Sequence, residues 1–203
     1  LFARAWMQWY GGLGVVVLSL ALVMQPGLVA KGLAVTETET DDLVGGTRAY
    51  ARRALKVYGV LTILGIIGSL AVGVGFFDAV LYTFAAVSTG GFAPHDGSLA
   101  MFGWPAQVWT TLLCLAGAIP LAFYYRMLKM KRHVAVDFLQ LRALVIASLV
   151  VSLAMGAAMR LSAGMAWPQV LHHAPLFAFS AQTSAGFSSM PSAQLDAGAK
   201  LVL

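Results

Sequence analysis

Asp78-Ala-Val-Leu-Tyr-Thr-Phe-Ala-Ala-Val-Ser-Thr-Gly-Gly-Phe-Ala93 returns ninety-five residues later as His173-Ala-Pro-Leu-Phe-Ala-Phe-Ser-Ala-Gln-Thr-Ser-Ala-Gly-Phe-Ser188. Six of the sixteen positions are identical: Ala79/Ala174, Leu81/Leu176, Phe84/Phe179, Ala86/Ala181, Gly91/Gly186 and Phe92/Phe187. Others are conservative, among them Tyr82/Phe177, Ser88/Thr183 and Thr89/Ser184. An apolar composition supplies about two or three such matches by chance, but each copy here also follows a long apolar run. The unit that repeats is therefore a long apolar helix, a short apolar helix, a Ser/Thr-rich Gly-Phe loop and a further long helix.

The rest of the chain supports a lipid-facing setting for that unit. Of 203 residues, 60% are hydrophobic and 10% charged, and the mean hydropathy is +0.81. Soluble chains carry roughly 25% charged residues, so too little polar side chain is present to cover a water-facing globule. This composition excludes a soluble enzyme, a disordered linker and a nucleic-acid module; nucleic acid is not expected as a partner, and membrane lipid is. A hydrocarbon core about 30 Å thick asks for about 20 apolar residues per helix. Four stretches meet this requirement, at residues 6–24, 57–77, 102–125 and 139–161. Residues 78–87 and 168–182 are apolar but too short to span, as in re-entrant or interfacial helices. Pro120 is expected to kink the third span.

Charge sets the direction of these spans. Thirteen Lys+Arg against eight Asp+Glu give a net charge of +5. Ten of the thirteen, Lys31, Arg48, Arg52, Arg53, Lys56, Arg126, Lys129, Lys131, Arg132 and Arg142, are assigned to the two regions joining spans one to two and three to four. The positive-inside rule places these regions in the cytoplasm. Both short helices then enter from outside, and residues 36–42, Thr-Glu-Thr-Glu-Thr-Asp-Asp, form a polar cytoplasmic loop. The chain opens at Leu1 without a leader and closes on Lys200-Leu-Val-Leu203, the first turn of another apolar helix, so it reads as the interior of something longer. Cys114 has no partner cysteine and reads as a packing residue.

An irregular loop at membrane depth is tolerated only where protein or a water-filled path receives its backbone carbonyls. Small residues with a glycine let successive carbonyls turn toward one axis, and a dehydrating cation suits such carbonyls. Each short helix also directs its C-terminal partial negative charge at the same point. The expected ion-binding loops are Ser88, Thr89, Gly90, Gly91 and Phe92, and Thr183, Ser184, Ala185, Gly186 and Phe187. Phe92 and Phe187 are expected to wedge these loops against the helices around them. Two other readings fit the same residues: a secondary transporter whose re-entrant hairpins bind a small substrate at the midplane, and a membrane-embedded redox or metal enzyme subunit using His95, His133, His172 and His173. Gly11-Gly12-x-Gly14 superficially matches a nucleotide loop, but it opens a membrane span with no strand before it and reads as helix packing.

These motifs in this order resemble the Trk/Ktr/HKT superfamily of potassium and sodium transporters, and most nearly the bacterial Trk potassium uptake membrane subunits. Gln8-Trp9-Tyr10-Gly11-Gly12-Leu13-Gly14-Val15-Val16-Val17 is similar to the family's stretch just after its first filter. Gly90-Gly-Phe-Ala-Pro-His95-Asp96-Gly-Ser98 looks like the second filter with its outer His-Asp pair, and Thr183 to Ser188 looks like the third. The resemblance implies an all-α polytopic membrane protein with a potassium-channel-like fold, built of repeated span, pore helix, filter loop and span, and present as a partial chain. It implies that residues 1–25 are the second helix of repeat one, 26–56 a cytoplasmic loop, 57–132 repeat two, and 133–203 repeat three up to its filter and the start of its second helix. It further implies a transporter rather than an enzyme, in the cell inner membrane, carrying potassium or, as the other candidate, sodium, with no covalent cofactor. Potassium would be held by the carbonyls of Thr89, Gly90, Ser184 and Ala185. The implied partners are a second copy of the full-length subunit and a cytoplasmic nucleotide-binding regulatory ring on the basic inner loops. Two departures stand out: Ala116-Gly117-Ala118-Ile119-Pro120 replaces a Gly-Gly-x-x-Phe stretch, which weakens the expectation of close packing there, and Gln140 replaces an acidic residue.

Overall fold

A computed structural model describes residues 1–23, 46–91, 93–120, 123–124, 134–161 and 163–190. The acidic stretch 36–42, Lys31, the basic stretch 126–132, His133, Phe92 and residues 191–203 lie outside them. Among the described residues the structure is helical, with no strand: α1 (Phe2–Val23), α2 (Gly46–Ala71), α3 (Phe76–Val87), a 3-10 turn (Ser98–Met101), α4 (Trp104–Ala118), α5 (Val134–Leu161) and α6 (Trp167–Gln182).

The helix ends follow backbone chemistry more closely than they follow hydropathy. The expected second span at 57–77 stops at Ala71, because Gly73 turns the chain at φ +86 and extended Gly75 opens α3. Phe76 and Phe77 are thus the start of the short helix. The expected third span at 102–125 begins at Trp104, with Pro105 in its first turn; α4 runs for 15 residues, and residues 123 and 124 are helical again beyond Pro120. Pro120 ends α4 rather than kinking it: Ile119 is extended at φ −73, ψ 130, as the residue before a proline prefers.

Among the described residues, two helices carry windows long and apolar enough to cross a membrane, Ala54–Ala71 and Leu141–Leu161, with mean hydropathies of 1.8 and 2.0. Only 28% and 22% of those windows are buried. Ile63, Ile67 and Leu153 are among the large apolar side chains facing outward, a surface suited to lipid or to further apolar protein.

The short helix α3 lies at the centre, packed on α1, α2 and α4, while α6 packs on α5 and α4. Leu81 to Val87 are all buried. The core that joins the two groups contains Tyr58, Tyr82, Leu113 and Cys114 together with Ala185 and Phe187 from the second loop. Close packing survives at the departure noted above. A Cβ on Gly117 would lie 2.7 Å from the Ala86 carbonyl oxygen and 2.8 Å from that of Val87, so the glycine is what lets α4 reach the end of α3.

Candidate functional site

The two Gly-Phe loops leave their helices by the same device. After α3, the Gly90 N–H donates to the Ala85 carbonyl at 3.0 Å and the Thr89 N–H to that of Ala86 at 3.1 Å. After α6, the Ala185 N–H donates to Ser180 at 3.0 Å and the Ser184 N–H to Ala181 at 2.9 Å. This paired pattern is the Schellman close of a helix, which requires a left-handed residue just past the C-cap. Glycine usually fills that position, but here it is Thr89 at φ 49 and Ser184 at φ 57. The C-caps are Ser88 and Thr183. Their hydroxyls turn back on the helix, Ser88 Oγ donating to the Phe84 carbonyl at 2.7 Å and Thr183 Oγ1 to that of Phe179 at 2.8 Å.

Positive φ recurs two residues later in each loop, at Gly91 (φ 73) and Gly186 (φ 65). Gly90 and Ala185 between them keep negative φ. In an ordinary strand, carbonyls alternate sides because every residue has the same hand; alternating the hand turns every second peptide and brings successive carbonyls toward one side. A left-handed non-glycine costs about 1–2 kcal/mol. Among the described residues, the three that bear this cost are Thr89, Ser184 and Ser98, all in this region. Strain gathered in one place points to a functional constraint.

The two loops also meet. A Cβ on Gly91 would sit 3.2 Å from the Ala185 carbonyl oxygen, and one on Gly186 would sit 3.7 Å from Gly91 Cα. Gly90, Gly91, Ser184 and Gly186 are exposed, Ser88 and Thr89 half-buried, and Thr183, Ala185 and Phe187 buried. Phe187 is wedged against Tyr82 of α3 with ring centroids 5.7 Å apart. On the α1 side the first loop borders a cavity of about 600 Å³ lined by Gln8, Tyr58, Ser88, Thr89 and Gly90. Backbone carbonyls and two converging helix C-termini give this region a negative potential without a formal charge, so the chemistry on offer is coordination by neutral oxygen.

An outer brace that the sequence reading did not anticipate fixes the loops to each other. The Leu99 N–H donates to the Ser188 carbonyl at 2.9 Å, and the Ser188 N–H returns a bond to Ser98 Oγ at 3.1 Å. Tyr82 Oη donates to the Ser98 carbonyl at 2.8 Å, and Gln107 Nε2 to the Leu99 carbonyl at 3.1 Å. The one sequence signal for this brace was the tyrosine standing where the second copy has Phe177. Replacing Tyr82 by phenylalanine leaves the buried Ser98 carbonyl without this donor and is expected to destabilise the protein by about 1–2 kcal/mol, read as a lower melting temperature in detergent.

A second tie joins each short helix to the chain beyond its loop, from the first turn of α3 and the second turn of α6. His95 Nε2 pairs with Asp78 Oδ1 at 2.9 Å; its partner is thus the carboxylate at the start of α3 and not the adjacent Asp96. At the corresponding position, His173 Nδ1 meets Ser189 Oγ at 2.9 Å. His172 lies beside Trp104. Among the described residues no three His, Cys, Asp or Glu gather where they could hold a metal. Of Gly11, Gly12 and Gly14, only Gly12 has a close neighbour among the described residues, Ser88 and Tyr58.

No protein-family model matches the chain. It is 31% identical over 158 residues to the Trk system potassium uptake protein TrkI of Halomonas elongata, covering 75% of this chain and 32% of that protein. It is 33% identical over 131 residues to TrkH of the same organism, covering 62% of this chain and 26% of that one. TrkH of Escherichia coli K12 is 31% identical over 111 residues. The chain thus spans about a third or less of the length of these relatives. The fold is shared with the crystal structure of the potassium transporter TrkH from Vibrio parahaemolyticus, at a TM-score of 0.73 and 21% identity, over 95% of this chain and 40% of that one.

Proposed function

We propose, from the premise that this chain is a Trk-family membrane-subunit sequence, that it supplies two of the strands lining a path for a monovalent cation, potassium in the first place, across the membrane. The observation that carries this reading is the recurrence, ninety-five residues apart, of one backbone conformation after two helix ends, in loops that touch. The carbonyls of Thr89, Gly90, Ser184 and Ala185 are the coordinating groups. Ser88 and Thr183 close the helices behind them, and Phe187 anchors the second strand; Phe92 stands at the matching place in the sequence of the first. The relatives named as potassium uptake proteins support potassium as the ion.

The segment assignment follows from the same premise: residues 1–25 complete a first repeat, 26–56 form a cytoplasmic connection whose last part, from Gly46, is already the start of α2, 57–132 form the second repeat, and 133–203 open the third. The full-length subunit is a multi-pass protein of the cell inner membrane that works as a homodimer. Its basic inner face, including Arg52 and Lys56 at the start of α2, docks a cytoplasmic ring that binds nucleotides.

The test is uptake of potassium, rubidium and sodium by cells lacking their own potassium uptake systems and expressing the full-length gene that encodes this chain. Restored growth at low potassium, with rubidium and potassium preferred over sodium, is the expected result. A full-length protein that reaches the membrane and moves none of these ions would overturn the reading.

A further inference from the structure

The carbonyl of Gly90 has a partner from a distant part of the chain. Gln8, on α1, donates its Nε2–H to that oxygen across a separation of 82 residues. The same side chain fills the space that a Cβ on residue 90 would need, so the glycine and the glutamine are matched in shape as well as in hydrogen bonding. Gln8 Oε1 is buried and has no hydrogen-bond partner among the described residues. One turn along the same face of α1, a Cβ on Gly12 would lie 3.0 Å from Ser88 Cβ and 3.0 Å from Tyr58 Oη. Positions four apart share a helix face, so Gln8 and Gly12 together fit α1 to the end of α3 and its loop. The second loop is built differently: its counterpart to Gly90 is Ala185, whose methyl is buried in the core.

A carbonyl that accepts a hydrogen bond has its plane fixed, and it shares with the donor the electron density that it would otherwise offer to a cation. We propose that Gln8 is a positioning residue that helps to determine ion specificity, holding the orientation of the Gly90 carbonyl and lowering the field that this strand presents. Selection among monovalent cations is then set in part from a helix that contributes no Gly-Phe loop among these residues. The two strands offer unequal coordination, one tethered by an amide and the other packed by a methyl. This inference rests on the cation-path reading above.

The experiment uses the full-length protein in the same uptake assay. Gln8→Met keeps the length of the side chain and removes the donor; Gln8→Glu keeps its shape and sets an acceptor against the carbonyl. Each is expected to lower the ratio of potassium to sodium uptake by about three- to tenfold, the range a lost hydrogen bond accounts for, and to shift the KM for potassium, at wild-type levels in the membrane. Gly90→Ala, for which Gln8 leaves no room, is expected to lose uptake. Adding Gln8→Ala to it restores the maximal rate but not the ratio. A ratio and KM within twofold of wild type in the Gln8 variants, with only the maximal rate reduced, would show that Gln8 merely packs and would overturn the proposal. So would a double variant that regains full selectivity. Either result differs from failure of the cation-path reading, in which the wild-type protein itself moves no potassium.

Discussion

Gly91→Ala is expected to abolish rubidium and potassium uptake in the full-length protein while leaving its amount in the membrane near normal. Two costs coincide at this residue. Its φ of +73 is one that an L side chain adopts at a penalty of about 1–2 kcal/mol. The added Cβ would also meet the Ala185 carbonyl oxygen of the other loop at 3.2 Å, so one of the proposed coordinating oxygens must move to make room. About 1.4 kcal/mol already depletes a required arrangement roughly tenfold, and the contact adds to it. Gly186→Ala separates the two effects, because its φ of +65 carries the same strain while, among the described residues, its Cβ would meet only Gly91 Cα at 3.7 Å. It should lose less uptake than Gly91→Ala. Equal and unchanged uptake in both variants would remove these loops from the ion path.

Gly117→Val is expected to have the next largest effect, through the helix behind the loop. The atoms in its way are the carbonyl oxygens of Ala86 and Val87, at 2.7 and 2.8 Å, and Val87 Cα at 3.1 Å. These are main-chain atoms of the last turn of α3 and cannot rotate aside as a side chain can. Either α4 withdraws or the end of α3 shifts, taking Thr89 and Gly90 with it. Overpacking of this kind costs about 1–3 kcal/mol. A melting temperature several degrees lower, together with reduced uptake per molecule, is the outcome to look for; a full melting temperature with full uptake would mean that α4 does not press on the loop.

What could be read from the sequence was whatever leaves a local or repeated mark. The short helices and their loops were legible because the chain contains them twice, and small residues with a glycine in each loop already suggested turned carbonyls. Helix ends were less legible where hydropathy runs through a backbone break. Phe76 and Phe77 continue the apolar run of α2, and only Gly73 and Gly75 betray the turn between them. Pro120 was seen, yet its effect depends on whether Ile119 stays helical, and it does not. Left-handed Thr89 and Ser184 left little signal, since neither residue type favours that region; a pair of hydroxyl residues at matched helix ends is the mark that could have found them. Pairings across distance were not legible at all. His95 turns to Asp78 rather than to its neighbour, and Gln8 finds Gly90 across the α1–α3 interface, because packing decides both.

The left-handed residues have a consequence for how the protein is made. Thr89 belongs to one helical group and Ser184 to the other, and Ser98 bonds across from the first group to Ser188 of the second. Thr89 and Ser184 are closed by bonds within their own helices, whereas the approach of Gly91 to Ala185 and the bonds of Ser98 and Leu99 with Ser188 exist only when the two groups are joined. The finished shape of either loop is therefore a property of the joined pair. As the chain emerges residue by residue, the first loop stays provisional for about ninety residues, until α6 arrives. The proposed ion-binding geometry then requires both groups to be docked.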